Sequence, residues 1–311
     1  MPQPSVAVVV PVHGKLPLTL RFLDSFRRVT YDRYEIVVVD DGSPDDTAQH
    51  LARHYPKVRV LSGDGKLWWT GATNLGVRYA LRRGFDYVLT INNDAVVSPG
   101  FLAQLVRTAR AHPRSVVGSR INWLDRPTRV WSAGGYMDWR SGLILQLEHY
   151  DVEERDLLAR CPSPTRAEIL TGCGTLVPAE CFREIGLYDR TWFPHYHADS
   201  ELVLRAARRG WDVLADLHAL IWNDEPNTCR AKHPFSLRSA VYWRPMLAIH
   251  LRYCPAPLLL RSLVWHTANV FAETFYEPDP KCPPIVRLHR DIYRPVVYLK
   301  QTAGRLLRKA A

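Results

Sequence analysis

An apolar run that ends in two amides and a carboxylate is the part of this sequence best suited to bind a metal ion. Residues 87–91 have the length and composition of a buried strand, and Asn92, Asn93 and Asp94 follow directly. In open α/β folds, ligands bind where the parallel strands end. A carboxylate backed by two amides suits Mg²⁺ or Mn²⁺, which keep much of their coordination for phosphate oxygens and water. The alternative is that Asp94 caps the turn after the strand.

A second carboxylate, that of Asp199, lies where it could accept a proton. It precedes a pattern that predicts a helix over 202–209, so it falls near the positive end of the helix dipole, which favours an ionised carboxylate. His195 and His197 come just before it in an aromatic segment. Helix capping alone would explain an acid here, but an acid beside two histidines behind an aromatic loop favours a functional site.

Four strand–helix units must position these two acids. Val6 to Val10 form a continuous β-branched run, typical of a strand buried on both faces of a parallel sheet. Three further units follow, and Asp94 belongs to the fourth. This order predicts an α/β protein with a doubly wound, mostly parallel sheet, followed by short antiparallel strands over 120–165. The other predicted elements are strands over 34–39 and 58–61 and helices over 17–28, 72–83, 101–112, 178–185, 239–250 and 257–271.

The Gly-rich segment between the third strand and its helix carries two adjacent tryptophans, Trp68 and Trp69. Leaving two indole rings in water is unfavourable, so they either pack under the sheet or cover a ligand. In the second case, Lys66, Trp69 and Asn74 are the residues of this segment that we expect to contact the ligand.

The positive charge of the chain is concentrated at one end. The 311 residues have a net charge of +10, and from Asn227 onward there are 14 Lys and Arg against 4 Asp and Glu, so the rest is neutral. A neutral body argues against a nucleic-acid partner, and a basic end favours docking on an anionic surface. Apolar residues with regularly spaced cations fit an interfacial helix on an anionic membrane, although helices packed on the main domain would have a similar composition.

Composition also predicts the domain organisation and the compartment. The six cysteines form no CxxC pair, the N-terminus lacks the pattern of a signal peptide, and no apolar run reaches about 20 residues. We expect a cytoplasmic protein, peripheral at the inner face of the cell membrane if the basic end docks there. Residues 1–225 are expected to form the main α/β domain, which contains both acids, and residues 226–311 a basic, partly amphipathic helical region.

Four motifs follow one another in the sequence: Val8–His13, Val37–Ser43, Asn92–Asp94 with Pro99, and Asp199–Leu202 with Arg205 and Gly210. Together they resemble the family 2 glycosyltransferases of the GT-A fold, and most of all their bacterial rhamnosyltransferase-like branch, which makes surface polysaccharides. The resemblance covers about residues 5–225. It implies a GT-A type sheet and an inverting transfer of a sugar from a UDP- or dTDP-linked nucleotide-sugar donor to a hydroxyl of a glycan or lipid-linked acceptor.

The resemblance also implies a role for each matching residue. Asp40 or Asp41 would accept a hydrogen bond from the pyrimidine base of the donor. Asp94 would bind the metal ion that bridges the two phosphates, with Asn92 at the position where the commoner DxD motif has its first Asp. Asp199 would be the catalytic base. The residues that would line the nucleotide pocket are Pro11, Val12 and His13.

Two positions depart from the family pattern. Ala198 replaces the Glu that usually precedes the base, and Asn223 or Asp224 stands where many relatives have a metal-binding His, which leaves His195 and His197 as outside candidates for a third metal ligand. These departures make a sugar-nucleotide-binding or scaffold protein of the same fold the alternative to an enzyme. The absence of GxGxxG after the first strand argues against a dinucleotide-dependent oxidoreductase.

Overall fold

The structure is a computed structural model that describes residues 3–140, 145–224 and 240–274. The chain separates into unit 1, which comprises Met1–Met137 and Leu145–Pro226, and unit 2, which comprises Asp138–Ile144 and Asn227–Ala311. Unit 1 contains the main sheet and every residue of the candidate site.

A ten-stranded sheet organises unit 1. Its strands are β1 (Val6–Val12), β2 (Tyr34–Asp40), β3 (Arg59–Ser62), β4 (Tyr87–Thr90), β5 (Ala95–Val97), β6 (Ser115–Trp123), β7 (Val130–Ser132), β10 (Thr165–Arg166), β11 (Thr175–Pro178) and β12 (Asp212–Asn223), while β8 (Gly135–Met137) and β9 (Leu145–Leu147) pair separately. The strand order is β10-β12-β6-β11-β4-β1-β2-β3, with β5 added to β12 and β7 to β6.

The direction of the strands confirms the predicted α/β fold with a mostly parallel sheet. Strand β1 is parallel to β2 and β4, β2 is parallel to β3, and β6 is parallel to β12. Strand β11 is antiparallel to both β4 and β6, so β4 and β6 run in the same direction. The carboxyl ends of β2, β1, β4, β6 and β12 therefore lie at one edge of the sheet.

Helices cover the sheet, so its central strands are buried. Val6 to Val10 have no exposed surface, as expected for a strand inside a parallel sheet. The third helix packs closely on β1: a Cβ atom at Gly76 would lie 2.4 Å from a methyl carbon of Val9, so only glycine fits. The helices of unit 1 are α1 (Leu16–Phe26), α2 (Thr47–His54), α3 (Trp68–Arg83), α4 (Phe101–Ala111), α5 (Glu154–Arg160), α6 (Ala179–Ile185) and α7 (Ala198–Arg208).

Two helices begin four residues earlier than predicted. Helix α3 begins at Trp68 rather than at residue 72, because the carboxylate of Asp41 accepts hydrogen bonds from the backbone N–H groups of Leu67 and Trp68. These groups have no partner inside a helix, and a side-chain acceptor that satisfies them extends the helix into the Gly-rich segment. Helix α7 begins at Ala198 rather than at residue 202, so Asp199 lies in its first turn.

The prediction of short antiparallel strands from residue 120 is wrong for β6. This strand continues to Trp123, all nine of its residues are buried, and it pairs with β12, a strand that was not predicted. The full strand was not predicted because polar residues interrupt its apolar pattern. Arg120 and Asn122 are nevertheless buried, since each has specific partners. Asn122 donates hydrogen bonds to the Pro127 carbonyl and the Glu154 carboxylate, which also contacts Arg120 at 3.1 Å.

The described part of unit 2 confirms a helical C-terminal region. It contains α8 (Ala240–Tyr253), a 3-10 turn over Ala256–Leu258, and α9 (Leu259–Thr274). The imidazole of His250 joins the two helices, since Nδ1 donates to the Met246 carbonyl at 2.8 Å and Nε2 accepts from the Ser262 hydroxyl at 3.1 Å. No helix in the described ranges is long and apolar enough to cross a membrane. The regularly spaced cations from Arg287 to Lys309, which led us to predict an interfacial helix, lie outside the described residues.

Candidate active site

The carboxyl ends of β1, β2 and β4 bring most of the predicted site residues to one edge of the sheet. Val12 ends β1, Asp40 ends β2, and Asn92 follows β4. A cavity of about 390 Å³ lies at this edge. The residues that line it are Pro11, Val12, His13, Asp41, Gly65, Trp68, Trp69, Ala72 and His195.

Asp41 shapes this cavity and also lines it. Its Oδ1 accepts a hydrogen bond from the N–H of Gly65 at 2.9 Å, and its Oδ2 accepts from the N–H groups of Leu67 and Trp68 at 2.9 and 3.0 Å. Its carbonyl accepts from Nδ1 of His13 at 2.8 Å. The neighbouring Asp40 accepts from the N–H of Ser43 at 2.8 Å. One carboxylate therefore fixes the loop and the start of α3.

Lys66 and Asn74, which we predicted to contact the donor, do not line the cavity, and neither do Asp40, Asn92 and Asn93. The amide of Asn74 is engaged at both ends with the backbone of Tyr188: Nδ2 donates at 2.8 Å and Oδ1 accepts at 3.1 Å. Asn74 is buried and holds the Tyr188 segment in place. Lys66 is exposed, and its carbonyl accepts a hydrogen bond from Arg190 at 3.0 Å.

Both tryptophans line the cavity, which favours ligand contact over simple core packing. Trp69 donates its indole N–H to Oδ1 of Asn92 at 3.0 Å, and its ring meets that of Tyr188 edge-on. A Cβ atom at Gly172 would lie 2.6 Å from the Trp69 ring, so the close approach requires glycine. The side chain of Trp68 is 54% exposed and meets the ring of His195 edge-on.

Asp94 offers a carboxylate oxygen that no protein group occupies. Its Oδ1 is buried and has no hydrogen-bond partner. Burial raises the pKa of this carboxyl group and the nearby Asp224 raises it further, while Lys15 and Arg21 lower it. Arg21 donates to the carbonyl of Asp94 and pairs with the carboxylate of Asp224. Asn93 donates to the Thr19 hydroxyl at 3.0 Å, which fixes the turn that holds Asp94.

The fit of this turn to a divalent cation rests on Asp94. Within the described ranges, no group of three or more His, Cys, Asp and Glu side chains is arranged to hold a metal ion. His195 and His197 therefore do not complete such a group. One open, buried carboxylate oxygen fits a cation that takes its remaining ligands from phosphate oxygens and water.

Asp199 is held by backbone N–H groups in the first turn of α7. Its Oδ2 accepts from the N–H of Gly172 at 2.6 Å, and its Oδ1 accepts from the N–H of Ser200 at 2.8 Å. Burial raises the pKa of Asp199, while the two N–H groups and His195 lower it by a smaller amount. The next acid, Glu201, has a different role, because it pairs with Arg205 at 2.9 Å in the same helix.

The structure brings Asp94 and Asp199 into one region. Burial raises the pKa of the Cys173 thiol, and both of these carboxylates raise it further, so both lie within electrostatic reach of one fully buried group. The sequence signal that could have identified this junction is the small-residue run Gly172-Cys173-Gly174, which allows close approach of a ring and of a carboxylate.

Sequence reasoning did not assign His195 to this cavity. The residue lies in the loop before α7. It lines the same cavity as Pro11 and His13, although it follows them by more than 180 positions in the sequence. Burial lowers the pKa of His195, and Asp199 raises it. No pattern in the sequence relates this loop to the Gly-rich segment, because the two meet only through tertiary contacts.

Comparison with known proteins identifies a family. The family model described as Glycosyl transferase family 2 matches residues 7–164. Uncharacterized proteins of Mycobacterium bovis and Mycobacterium tuberculosis are 26% identical over 217 residues, which is 68% of this chain and 71% of theirs. An undecaprenyl-phosphate mannosyltransferase of Micrococcus luteus is 32% identical over 154 residues, which is 45% of this chain and 61% of that protein.

Solved structures share the fold. GalNAc-T7 with UDP, GalNAc and Mn²⁺ superposes with a TM-score of 0.65 at 15% identity, over 93% of this chain and 54% of that one. The chain thus spans about half of GalNAc-T7. The mannosyltransferase PcManGT of Pyrobaculum calidifontis, in complex with GDP-Man and Mn²⁺, superposes with a TM-score of 0.52 at 17% identity, over all of this chain and 76% of that one.

Proposed function

Because the chain belongs to glycosyl transferase family 2, we propose that it is a metal-dependent, inverting glycosyltransferase that moves a sugar from a UDP- or dTDP-sugar to an acceptor hydroxyl. The observation that carries this proposal is the shared influence of Asp94 and Asp199 on Cys173. It supports one site that contains both a carboxylate with an open oxygen and a proton acceptor.

The donor nucleoside occupies the cavity lined by Pro11, Val12 and His13. Asp41 and the loop that it fixes close the cavity on the side of β2. Proteins of the same fold are known in complex with UDP and with GDP-Man, each with Mn²⁺, which supports a nucleoside diphosphate sugar as the donor class. The pyrimidine preference rests on the motif around Asp40 and Asp41, so GDP-sugars belong in any donor panel.

The diphosphate extends from the cavity towards Asp94, whose open carboxylate oxygen would hold Mg²⁺ or Mn²⁺. When bound, the cation neutralises the negative charge that develops on the leaving diphosphate. Trp69 links the two parts of the site, since it lines the cavity and donates to Asn92, two residues before Asp94.

Asp199 accepts the proton of the acceptor hydroxyl. Two backbone N–H groups hold its carboxylate in one orientation, and its raised pKa makes it a stronger base than an exposed aspartate. With the base and the leaving diphosphate on opposite sides of the sugar ring, a single in-line displacement inverts the anomeric carbon. No covalent sugar–enzyme intermediate forms.

The acceptor is a glycan or lipid-linked glycan of surface polysaccharide or glycolipid assembly. The relative from Micrococcus luteus is named for undecaprenyl-phosphate, a lipid phosphate. This name supports a transfer reaction at a membrane surface. Unit 2 supports it too: residues 240–272 contain three Arg and no Asp or Glu, and four of their apolar side chains are exposed. These side chains are Leu247, Leu251, Leu260 and Val264, at 44%, 61%, 76% and 56% exposure.

A panel of UDP-, dTDP- and GDP-sugars tests the proposed function. Release of the nucleoside diphosphate is measured with the purified protein and Mn²⁺ or Mg²⁺, with and without EDTA. We expect turnover of a pyrimidine nucleotide-sugar that EDTA abolishes. Binding without any turnover would instead identify a sugar-nucleotide-binding or scaffold protein, and turnover unaffected by EDTA would contradict the role of Asp94.

A further inference from the structure

The loop that carries His195 is fixed to α3. The Thr70 hydroxyl donates to the carbonyl of Phe193 at 2.5 Å, and the Thr70 N–H donates to the carbonyl of Pro194 at 3.2 Å. The ring of Phe193 has no exposed surface. Because both residues immediately before His195 are held by the first turn of a helix, the imidazole occupies a defined place at the cavity.

The imidazole of His195 has polar atoms that the protein leaves unused. Its Nδ1 is buried and has no hydrogen-bond partner, and neither ring nitrogen hydrogen-bonds to any residue that the structure describes. The ring packs instead on the indole of Trp68 and on Tyr196, with centroid distances of 5.7 and 4.4 Å. A buried ring nitrogen without a partner is unfavourable unless a ligand completes its hydrogen bond.

The position of His195 suggests which part of a donor it meets. The residue lines the nucleotide cavity, and it also lies within electrostatic reach of Asp199. A group that joins a nucleoside in the cavity to a sugar beside Asp199 would therefore lie near this imidazole. In a nucleoside diphosphate sugar, that group is the diphosphate, whose oxygens are strong hydrogen-bond acceptors.

We infer that His195 is a donor-binding residue whose ring N–H donates a hydrogen bond to the diphosphate of the nucleotide-sugar. This inference rests on the proposed function, which supplies the ligand. It gives the diphosphate a contact from the loop before α7 in addition to the one that Asp94 would provide. The diphosphate would then be held from two separate parts of the chain, by the ring N–H of His195 and, through a bound cation, by Asp94.

The same contact couples binding to proton uptake. Burial keeps the pKa of His195 below its ordinary value, so the free protein holds the neutral imidazole at neutral pH. Asp199 faces this ring, and Asp41 and His13 line the same cavity. A diphosphate adds negative charge beside the ring, which raises its pKa and favours the imidazolium with two N–H donors.

A pair of substitutions separates hydrogen bonding from packing. His195→Phe keeps a ring that can pack on Trp68 and Tyr196 but removes both nitrogens, whereas His195→Asn keeps an N–H donor. His54→Ala, in an exposed position of α2, is the matched histidine control. Affinity for UDP and for uridine is measured by calorimetry in EDTA at neutral pH, in two buffers of different ionisation enthalpy so that proton uptake is counted.

We expect His195→Phe to bind UDP about tenfold more weakly than the wild type and to bind uridine equally well. This variant should also lose the proton uptake. His195→Asn should recover part of the UDP affinity. UDP affinity within twofold of the wild type in His195→Phe overturns the inference and leaves the proposed function standing. An equal loss for uridine also overturns it, since the contact would then be to the nucleoside. A wild type that binds neither UDP nor uridine, in EDTA or with Mn²⁺, overturns both.

Discussion

Asp94 and Asp199 act on the same buried thiol, since both carboxylates raise the pKa of Cys173. Asp94 follows β4, and Asp199 lies in the first turn of α7. The proposed proton acceptor, Asp199, and the carboxylate oxygen of Asp94 that has no partner therefore lie near the same group, although the two residues are distant in the chain.

Trp69 connects the two halves of that site. Its indole N–H donates to Asn92, which is two residues before Asp94, and its ring lies against Gly172, whose N–H donates to Asp199. A substitution at this junction should therefore displace the Asp199 carboxylate while the carboxylate itself stays present.

Gly172→Ala tests the junction. The added Cβ would lie 2.6 Å from the Trp69 ring and 3.2 Å from Cβ of Asp199, so the ring must move. We expect kcat/KM to fall about 100-fold, the scale that follows a displacement of about 1 Å at a reacting group. Gly100→Ala is the matched control, because its Cβ would meet nothing within 4 Å. Equal activity of the two variants would show that the contact does not position Asp199.

The pH dependence of transfer should report the raised pKa of Asp199. The base must be ionised to accept a proton, and burial raises its pKa, so activity is lost as the pH falls through that raised value. We expect the acidic limb of the kcat/KM profile to have its midpoint above the ordinary Asp pKa of about 4. A profile that stays flat down to about pH 4 would contradict the assignment of Asp199 as the base.

Asp94→Asn should stabilise the metal-free protein while it removes metal-dependent activity. The substitution eliminates a charge on a buried oxygen that lacks a partner, and sites shaped for a ligand commonly cost stability. In EDTA, we expect Tm to rise by about 2 °C. With Mn²⁺ and UDP, the wild type should gain Tm and the variant should not. Equal stabilisation of both proteins by Mn²⁺ and UDP would exclude Asp94 as the metal-binding residue. Asp125→Asn, at a side chain that is 72% exposed, is the control.

The exposed apolar side chains of unit 2 should bind a membrane surface. In the double variant Leu251→Glu, Leu260→Glu, we expect the fraction of protein that floats with phosphatidylglycerol vesicles to fall by at least about tenfold. Each leucine buried in the membrane contributes on the order of 2 kcal/mol to binding. Leu158→Glu, at an exposed leucine of unit 1, is the matched control. Unchanged flotation of the double variant would contradict docking through α8 and α9.

The sequence predicted the parts of the fold that depend on local patterns. Uninterrupted apolar runs identified β1, β2 and the strand before Asp94, and parallel strands necessarily bring their carboxyl ends to one edge. It did not predict β12 or the full length of β6, because buried polar residues such as Arg120 and Asn122 interrupt the apolar pattern. Their partner Glu154 is distant in the sequence.

The same limit applies to the site. Asp94 and Asp199 stand at strand and helix ends that the sequence marks. Asn74 was predicted to contact the donor, but its partner is the Tyr188 backbone, and no local pattern relates the two. His195 lies at the cavity in a loop whose residue Phe193 is hydrogen-bonded to Thr70 of α3, which is again a tertiary contact.

Turnover and donor binding of Asp199→Ala, measured side by side with the donor identified from the panel, test the central claim most directly. A base that acts only on the acceptor contributes to the chemical step. We therefore expect kcat to fall about 1,000-fold while donor affinity stays within about threefold of the wild type. Near-normal turnover by Asp199→Ala would contradict the account, because a site without its proton acceptor should not transfer the sugar.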